Sequence, residues 1–520
     1  MKIKLRKIIY AFVFFLLLFS LLYSRREKES NFRELFNYKG YNIVLISLGP
    51  LRADHLGCYG YSRNTSPNTD RLARRSLIFK NNHSQSSITL SSQMSLFTSM
   101  YPHEHRVFSP LESTSLNRKT STLTQILKEN GYKTVWIGPL DNPWVDISRG
   151  AGRGFDEKYS HLPDTAFFEL PEGRKDIAWD NAFAWIKNKD NRHKKFFMAL
   201  YTDRVHSPYF ASDESILMFA DKISEAIPNS YKKLFQKTIK RIVSSPSLIF
   251  LESSIGKNKH LFLQQYDIDN LKGQDYQDIM SRFKELQADC LQSLPMLFDR
   301  IFWESIDTSN KSDMEYVKAL YDAEIYEMDE TLGILIEELE NSGLLEKTVI
   351  VITSDHGEEF LEHGSIEHGG NLYEEATHIP LIIFLPKNGG YLEVNELVQS
   401  IDLMPTVLDL VNIKIPDYAR GISLLPLMKQ DKHVFFGRYI YAQAQNDKIS
   451  CRFKDWKYIS DLDMDGESYV LNGKNEELYD LSSDPQEKTN LIGVKSETAK
   501  QLKEKIEVLL SGKSKDHIPH

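Results

Sequence analysis

The chain has 520 residues, 41% of them hydrophobic and 26% charged, with a net charge of −8. That length exceeds one compact core and predicts two or more domains, and mild acidity with 64 scattered Lys and Arg residues argues against a nucleic-acid surface. The three cysteines, Cys58, Cys290 and Cys451, lie far apart without a CxxC pair, which argues against a thiolate zinc site and favours three free or buried thiols over one disulfide.

The first predicted element is N-terminal. MKIKLRK supplies a basic flank, and residues 8–23, IIYAFVFFLLLFSLLY, follow without a charge. That run is slightly short of the roughly 17–25 residues of a bilayer span, yet the flank and apolar block fit a signal segment. No A-x-A site follows, because the run ends in Ser24-Arg25-Arg26-Glu27. An uncleaved transmembrane signal anchor is therefore expected over 1–24, with a polar tether over 25–40. Basic residues before the span place the N-terminus inside. This predicts a single-pass protein of the cell membrane, its bulk facing the periplasm or exterior.

From Tyr41 short apolar runs alternate with helical stretches. VLISL reads as a strand, SPNTDRLARRS as a helix opening at Ser66-Pro67, and SLIF as a strand. STLTQILKENGYKTVWIG gives a helix ending before Gly131 and then a strand; KKFFMALYT, residues 194–202, gives another strand. Residues 210–313 carry amphipathic pieces and read as a helical insertion. Over 314–340 apolar residues fall at 317, 320, 321, 325, 328, 332, 335, 336 and 339, the 3/4 spacing of a long helix packed on a sheet. TVIVITS is a buried strand, and after about residue 390 a smaller unit begins. The predicted fold is α/β: a large mixed, mostly parallel sheet with helices on both faces over 41–390, and a smaller α+β subdomain over 391–520.

Three clusters carry chemistry. In VIVITSDHGEEFLEHGSIEHGG, Asp355 and His356 follow a strand at once, and a carboxylate and an imidazole there can bind one divalent cation. His363 and His368 come soon after. SQSSITLSSQMSLFTSMYPHEH places hydroxyls before an apolar helical stretch, suited to capping or to holding a nucleophile at a helix N-terminus. DRVHSPY places His206 at another strand end, a role that is structural unless the sheet brings it to Asp355. The first strand, in contrast, runs into Gly49-Pro50, with Arg52 and Asp54 behind them.

Eight pieces in order resemble the sulfatase family of the alkaline phosphatase superfamily: LRADHLGCYGYSRNTSPNTDRLA, TLSSQMSLFTSMYPHEH, GYKTVWIG with GFDEKY, HSPY, YDAEIYEMD, TSDHGEEFLEHG with HGGNLYEEATHIPLII, IDLMPTVLDL and ELYDLSSDPQEKTNL. The resemblance makes residues 41–390 a sulfatase-like catalytic domain. It implies one divalent cation, Ca2+ before Mn2+ or Zn2+, with Asp355, His356 and Thr89 as ligands. Thr89 falls on the nucleophile, His206 on the histidine that meets the ester oxygens or leaving group, and His368 on the residue that contacts the anion. His105 falls on the histidine of the family's P-x-x-H-G. The implied partner is an anionic ester substrate, a glycan, lipid or small molecule, besides the membrane reached through the N-terminal helix.

The sequence also departs from the pattern. Gly49 stands where the family carries its first acidic ligand, with Asp54 the one acid near enough in sequence to substitute. Ser91 and Gln93 replace the family's Pro and Arg, and Thr89 is the wrong side chain for formylglycine, so none is expected. Two functions follow. One is a membrane-anchored, metal-assisted hydrolase of sulfuric or phosphoric esters using Thr89; the alternative is a non-catalytic relative that binds an anionic glycan, lipid or protein partner.

Overall fold

The computed structural model describes residues 36–108, 114–140, 147–160, 177–229, 233–234, 236–238, 298–387, 390–444, 447–465 and 468–512. Ten of the strands, in chain order, are β1 Asn42–Leu48, β2 Leu77–His83, β3 Lys133–Ile137, β4 Glu157–Tyr159, β5 Phe196–Thr202, β6 Thr348–Thr353, β7 Glu359–Phe360, β8 Ile366–Glu367, β9 Leu381–Phe384 and β10 Leu392–Gln399. Eight of them form one sheet in the order β10-β2-β9-β6-β1-β5-β3-β4. Strand β9 runs antiparallel to β2 and β6, while the other pairings are parallel. β7 and β8 form a separate antiparallel pair beyond the end of β6.

The central strands explain their own composition. Every residue of β1, β5 and β6 is buried, as expected for parallel strands covered by helices on both faces. Alternation sends Val44, Ile46 and Leu48 into one core and Ile43 and Leu45 into the other. The first core receives the helix Lys311–Asn341, which buries all nine of the apolar positions that the 3/4 spacing marks. The second receives the helices Thr89–Thr98 and Leu403–Leu410.

That long helix also buries acids, and each has donors waiting. Asp322 accepts hydrogen bonds from Tyr61 Oη at 2.8 Å and Arg63 Nη1 at 2.7 Å and pairs with His55 Nδ1 at 2.7 Å. Asp329 caps the helix Pro67–Ala73 by accepting from the backbone N–H of Asn68 and Thr69, both at 2.7 Å. Glu324 accepts from Arg204 Nε at 2.9 Å and from the N–H of Phe210 at 2.6 Å. One helix therefore fixes both the loop after β1 and the loop after β5.

The smaller subdomain is an antiparallel sheet of β11 Tyr439–Ala444, β12 Lys448–Phe453, β13 Trp456–Asp465, β14 Ser468–Leu471 and β15 Glu477–Asp480. The helix Ser496–Leu510 packs Leu502 and Ile506 into its core. Buried ion pairs join it to the large sheet. Lys457 Nζ lies 3.0 Å from both Glu374 and Glu487, and Arg452 Nη1 lies 2.7 Å from Glu374.

One expectation is corrected here. The anchor expected over 1–24 lies outside the described residues, as do residues 239–297 of the expected insertion. Among the described residues no helix is long and apolar enough to cross a membrane. The single-pass placement, the membrane as a partner and the outward-facing bulk inferred from the N-terminal run are not carried forward.

Candidate ligand site at the carboxyl edge of the sheet

The carboxyl ends of β1, β5 and β6 meet at one edge, where open α/β sheets place their ligands. After β1, Gly49 donates its N–H to the Thr202 carbonyl at 2.9 Å. Tyr321 of the long helix clamps the next residues: its hydroxyl donates to the Pro50 carbonyl at 2.8 Å and accepts from the Arg52 N–H at 3.0 Å. A Cβ built on Gly49 would sit 2.4 Å from Asp355 Oδ1. The space into which a side chain at position 49 would project is thus filled by the Asp355 carboxylate. The first acid is absent, and its room is taken.

Asp54 does not replace it. Its carboxylate accepts from Arg52 Nε at 2.9 Å and Nη2 at 2.8 Å and is 58% exposed, whereas Asp355 is 1% exposed. Arg52 also reaches Glu362 at 2.8 Å. This guanidinium draws Asp54 outward.

After β6, Asp355 and His356 are both buried. Asp355 Oδ2 accepts from Tyr201 Oη at 3.1 Å; its Oδ1 accepts from the His356 N–H at 2.9 Å and lies 3.3 Å from Ser354 Oγ. His356 Nδ1 lies 2.9 Å from the Gly357 carbonyl, which makes it the donor and leaves Nε2 as acceptor. Thr89 Oγ1, in the first turn of its helix, lies 3.0 Å from that Nε2 and donates to it. Burial pushes the His356 pKa down to about 4, against the opposing pull of Asp355, so the ring is neutral.

His368 lies against this group, its ring 4.2 Å from that of His356 and edge-on to that of His206 at 4.9 Å. Its Nδ1 lies 2.9 Å from Glu358 Oε1, and burial, with His206 adding repulsion, pushes its pKa down to about 3. His206 behaves oppositely. Burial works against its charge, but Asp299 and Glu358, together with the Ser207 carbonyl and Asp203, push its pKa up to about 9. Ser207 Oγ donates to Asp299 Oδ1 at 2.9 Å and approaches Glu367 at 3.3 Å. Thr89, His206, Asp355, His356 and His368 therefore share one site.

His105 does not join them. Its Nδ1 accepts from the Val107 N–H at 3.1 Å and its Nε2 lies 3.0 Å from Ser95 Oγ, so both nitrogens hold the turn after the Thr89–Thr98 helix. Gln93 also turns to structure, donating to Ser47 Oγ on β1 at 3.1 Å. Tyr201, Glu358 and Asp299 are site residues that the sequence reading missed. Glu358 had a signal, standing two residues after His356. Tyr201 had none, because a tyrosine ending an apolar strand reads as core.

The expected metal set does not form a cage. A divalent cation of this kind takes several charged or imidazole ligands, and among the described residues no group of three or more His, Cys, Asp or Glu side chains could hold a metal ion. Each Asp355 oxygen already accepts a hydrogen bond, from Tyr201 or the His356 N–H, and His356 Nε2 accepts from Thr89. The metal-assisted reading, with Thr89, Asp355 and His356 as ligands and Asp54 as substitute, is corrected on this ground.

Comparison with known proteins agrees with the fold. A family model described as "Sulfatase" matches residues 41–413, and one described as "N-sulphoglucosamine sulphohydrolase, C-terminal" matches residues 362–512. The chain is 25% identical over 517 residues to the N-acetylglucosamine-6-O-sulfatase of Bacteroides thetaiotaomicron, covering 90% of this chain and 85% of that one. It is 32% identical to the arylsulfatase K of Bos taurus over 212 residues, 39% of this chain and 38% of that one. A solved structure in complex with its substrate D-glucosamine-2-N,6-O-disulfate superposes with a TM-score of 0.66 at 20% identity, covering 92% of this chain and all of that one. The phosphonate monoester hydrolase of Agrobacterium radiobacter gives 0.62 at 19% identity, over 91% and 96% of the two chains.

Proposed function

Because the chain belongs to the sulfatase family of the alkaline phosphatase superfamily, with a degenerate metal and nucleophile motif, we propose that it binds an anionic glycan at the catalytic edge of that fold without hydrolysing it. The family is one of hydrolases, and a divalent-cation-dependent mechanism is general in it. The observation that carries the proposal is the contact between Gly49 and Asp355. A backbone without a side chain faces a carboxylate that fills the space a Cβ at position 49 would need. Without that ligand a threonine hydroxyl has no cation to lower its pKa, and here it is spent on His356.

The site keeps groups suited to a sugar ester. The His206 imidazolium, sustained by Asp299 and Glu358, faces the anionic substituent. His368 lies against it, and Glu367 and Asp299 offer acceptors for sugar hydroxyls. Two of the relatives point to amino-sugar sulfates by name or bound substrate, and we adopt that class as the ligand.

Isothermal titration with D-glucosamine-2-N,6-O-disulfate, alongside ion chromatography for released sulfate, tests this. Measurable binding with no sulfate release is expected, and His206→Ala should weaken binding about tenfold, roughly 1.4 kcal/mol. Sulfate release that disappears in Thr89→Ala, or an absence of binding, would overturn the proposal.

A further inference from the structure

We infer that Tyr201 stands in for the family's cation: its phenol, with Gly49 clearing the space, compensates the buried Asp355 carboxylate so that the centre stays cation-free. A carboxylate buried this fully needs a positive partner or several hydrogen bonds. Among the described residues no Lys or Arg pairs with Asp355, and the nearest basic atom is His356 Nε2 at 3.5 Å. That nitrogen is an acceptor, taken up by Thr89 at 3.0 Å. What remains are neutral donors: the Tyr201 hydroxyl at 3.1 Å on Oδ2 and the His356 N–H at 2.9 Å on Oδ1. Ser354 Oγ, at 3.3 Å, adds a weaker contact.

Position 201 is placed for this by the sheet. Tyr201 pairs in register with Ser47 of β1, two residues before Gly49. The carboxylate can occupy the space beside the Gly49 Cα only because no Cβ is there, since one would approach Oδ1 to 2.4 Å. Glycine at 49 and tyrosine at 201 thus act as one device: a side chain at 49 would crowd the Asp355 carboxylate while Tyr201 still donates to it, and Tyr201→Phe would remove the donor on Oδ2. The inference shares the Gly49–Asp355 contact with the sugar-binding proposal, but its test reads cations and melting alone, so a failure of sugar binding would leave it standing.

The test uses the full chain as wild type, Gly49→Asp, and Gly49→Asp with Tyr201→Phe. Cation content is measured by elemental analysis, and melting temperature in EDTA, Ca2+ and Mn2+. Wild type is expected to carry no stoichiometric divalent cation and to melt at the same temperature in all three solutions. Gly49→Asp alone should also be unresponsive, while the double variant should melt roughly 3 °C or more higher with a cation than in EDTA. A full equivalent of bound cation in wild type, a fall of its melting temperature in EDTA, a cation response in Gly49→Asp equal to that of the double variant, or a double variant that ignores cations would each overturn the inference. Should the double variant fail to fold, Tyr201→Phe alone is read instead: a melting temperature and cation content equal to those of wild type would overturn the inference.

Discussion

His206 is where charge at this edge is set. Burial opposes its charge, and its pKa of about 9 arises because Asp299, Glu358, the Ser207 carbonyl and Asp203 together favour the cation. An ordinary histidine titrates near 6.5. A raised pKa means that the protonated form contributes fully below that ordinary value and is lost as pH rises through about 9. Affinity for a sulfated saccharide should therefore persist at neutral pH and weaken between roughly pH 8 and 10. Titrations at stepped pH check this, with His206→Gln expected to remove the alkaline limb. The residues that sequence alone could interpret were those whose neighbours in the chain declare their setting. Asp355 and His356 directly follow an apolar strand, and Thr89 opens a helix. Asp54 was misleading, because its partner Arg52 is two residues away in sequence but its outward direction follows from where Arg52 is held, by Glu362 and the Glu358 carbonyl.

Among the elements, the helix Lys311–Asn341 shows how far a pattern reaches. Its apolar stripe is readable because 3/4 spacing is a local property. Its buried acids are not, since Asp322, Glu324 and Asp329 look like an ordinary solvated face until the loops that contact them are placed. Asp322→Ala should cost about 1–3 kcal/mol, because Tyr61 and the part-exposed Arg63 would lose their acceptor. Urea unfolding followed by circular dichroism measures it, and Glu337→Ala on the same helix, whose side chain is 60% exposed, should change stability by less than about 0.5 kcal/mol. Asp299 illustrates the opposite limit. It meets Ser207 across a long stretch of chain, and no local regularity announces such a contact.

At the scale of the molecule, two sheets are joined through charge as well as apolar packing. Lys457 is 2% exposed and touches Glu374 and Glu487. Lys457→Ala should leave two carboxylates buried without that cation and destabilise the protein by roughly 3–5 kcal/mol. Scanning calorimetry should show the loss as a lower melting temperature, and Lys457→Arg should recover part of it. The overall α/β architecture was legible because buried parallel strands are continuous apolar runs. The junction was not, because its lysine and glutamates carry no sign of burial in their spacing. The long helix has a further consequence for motion. Since Asp322 and Asp329 hold the segment beyond β1 while Glu324 holds the one beyond β5, the two segments hang from a shared rod. They cannot loosen separately: amide exchange in Arg63–Thr69 and in Arg204–Ser212 should slow together when a sugar is bound and quicken together when the rod is weakened.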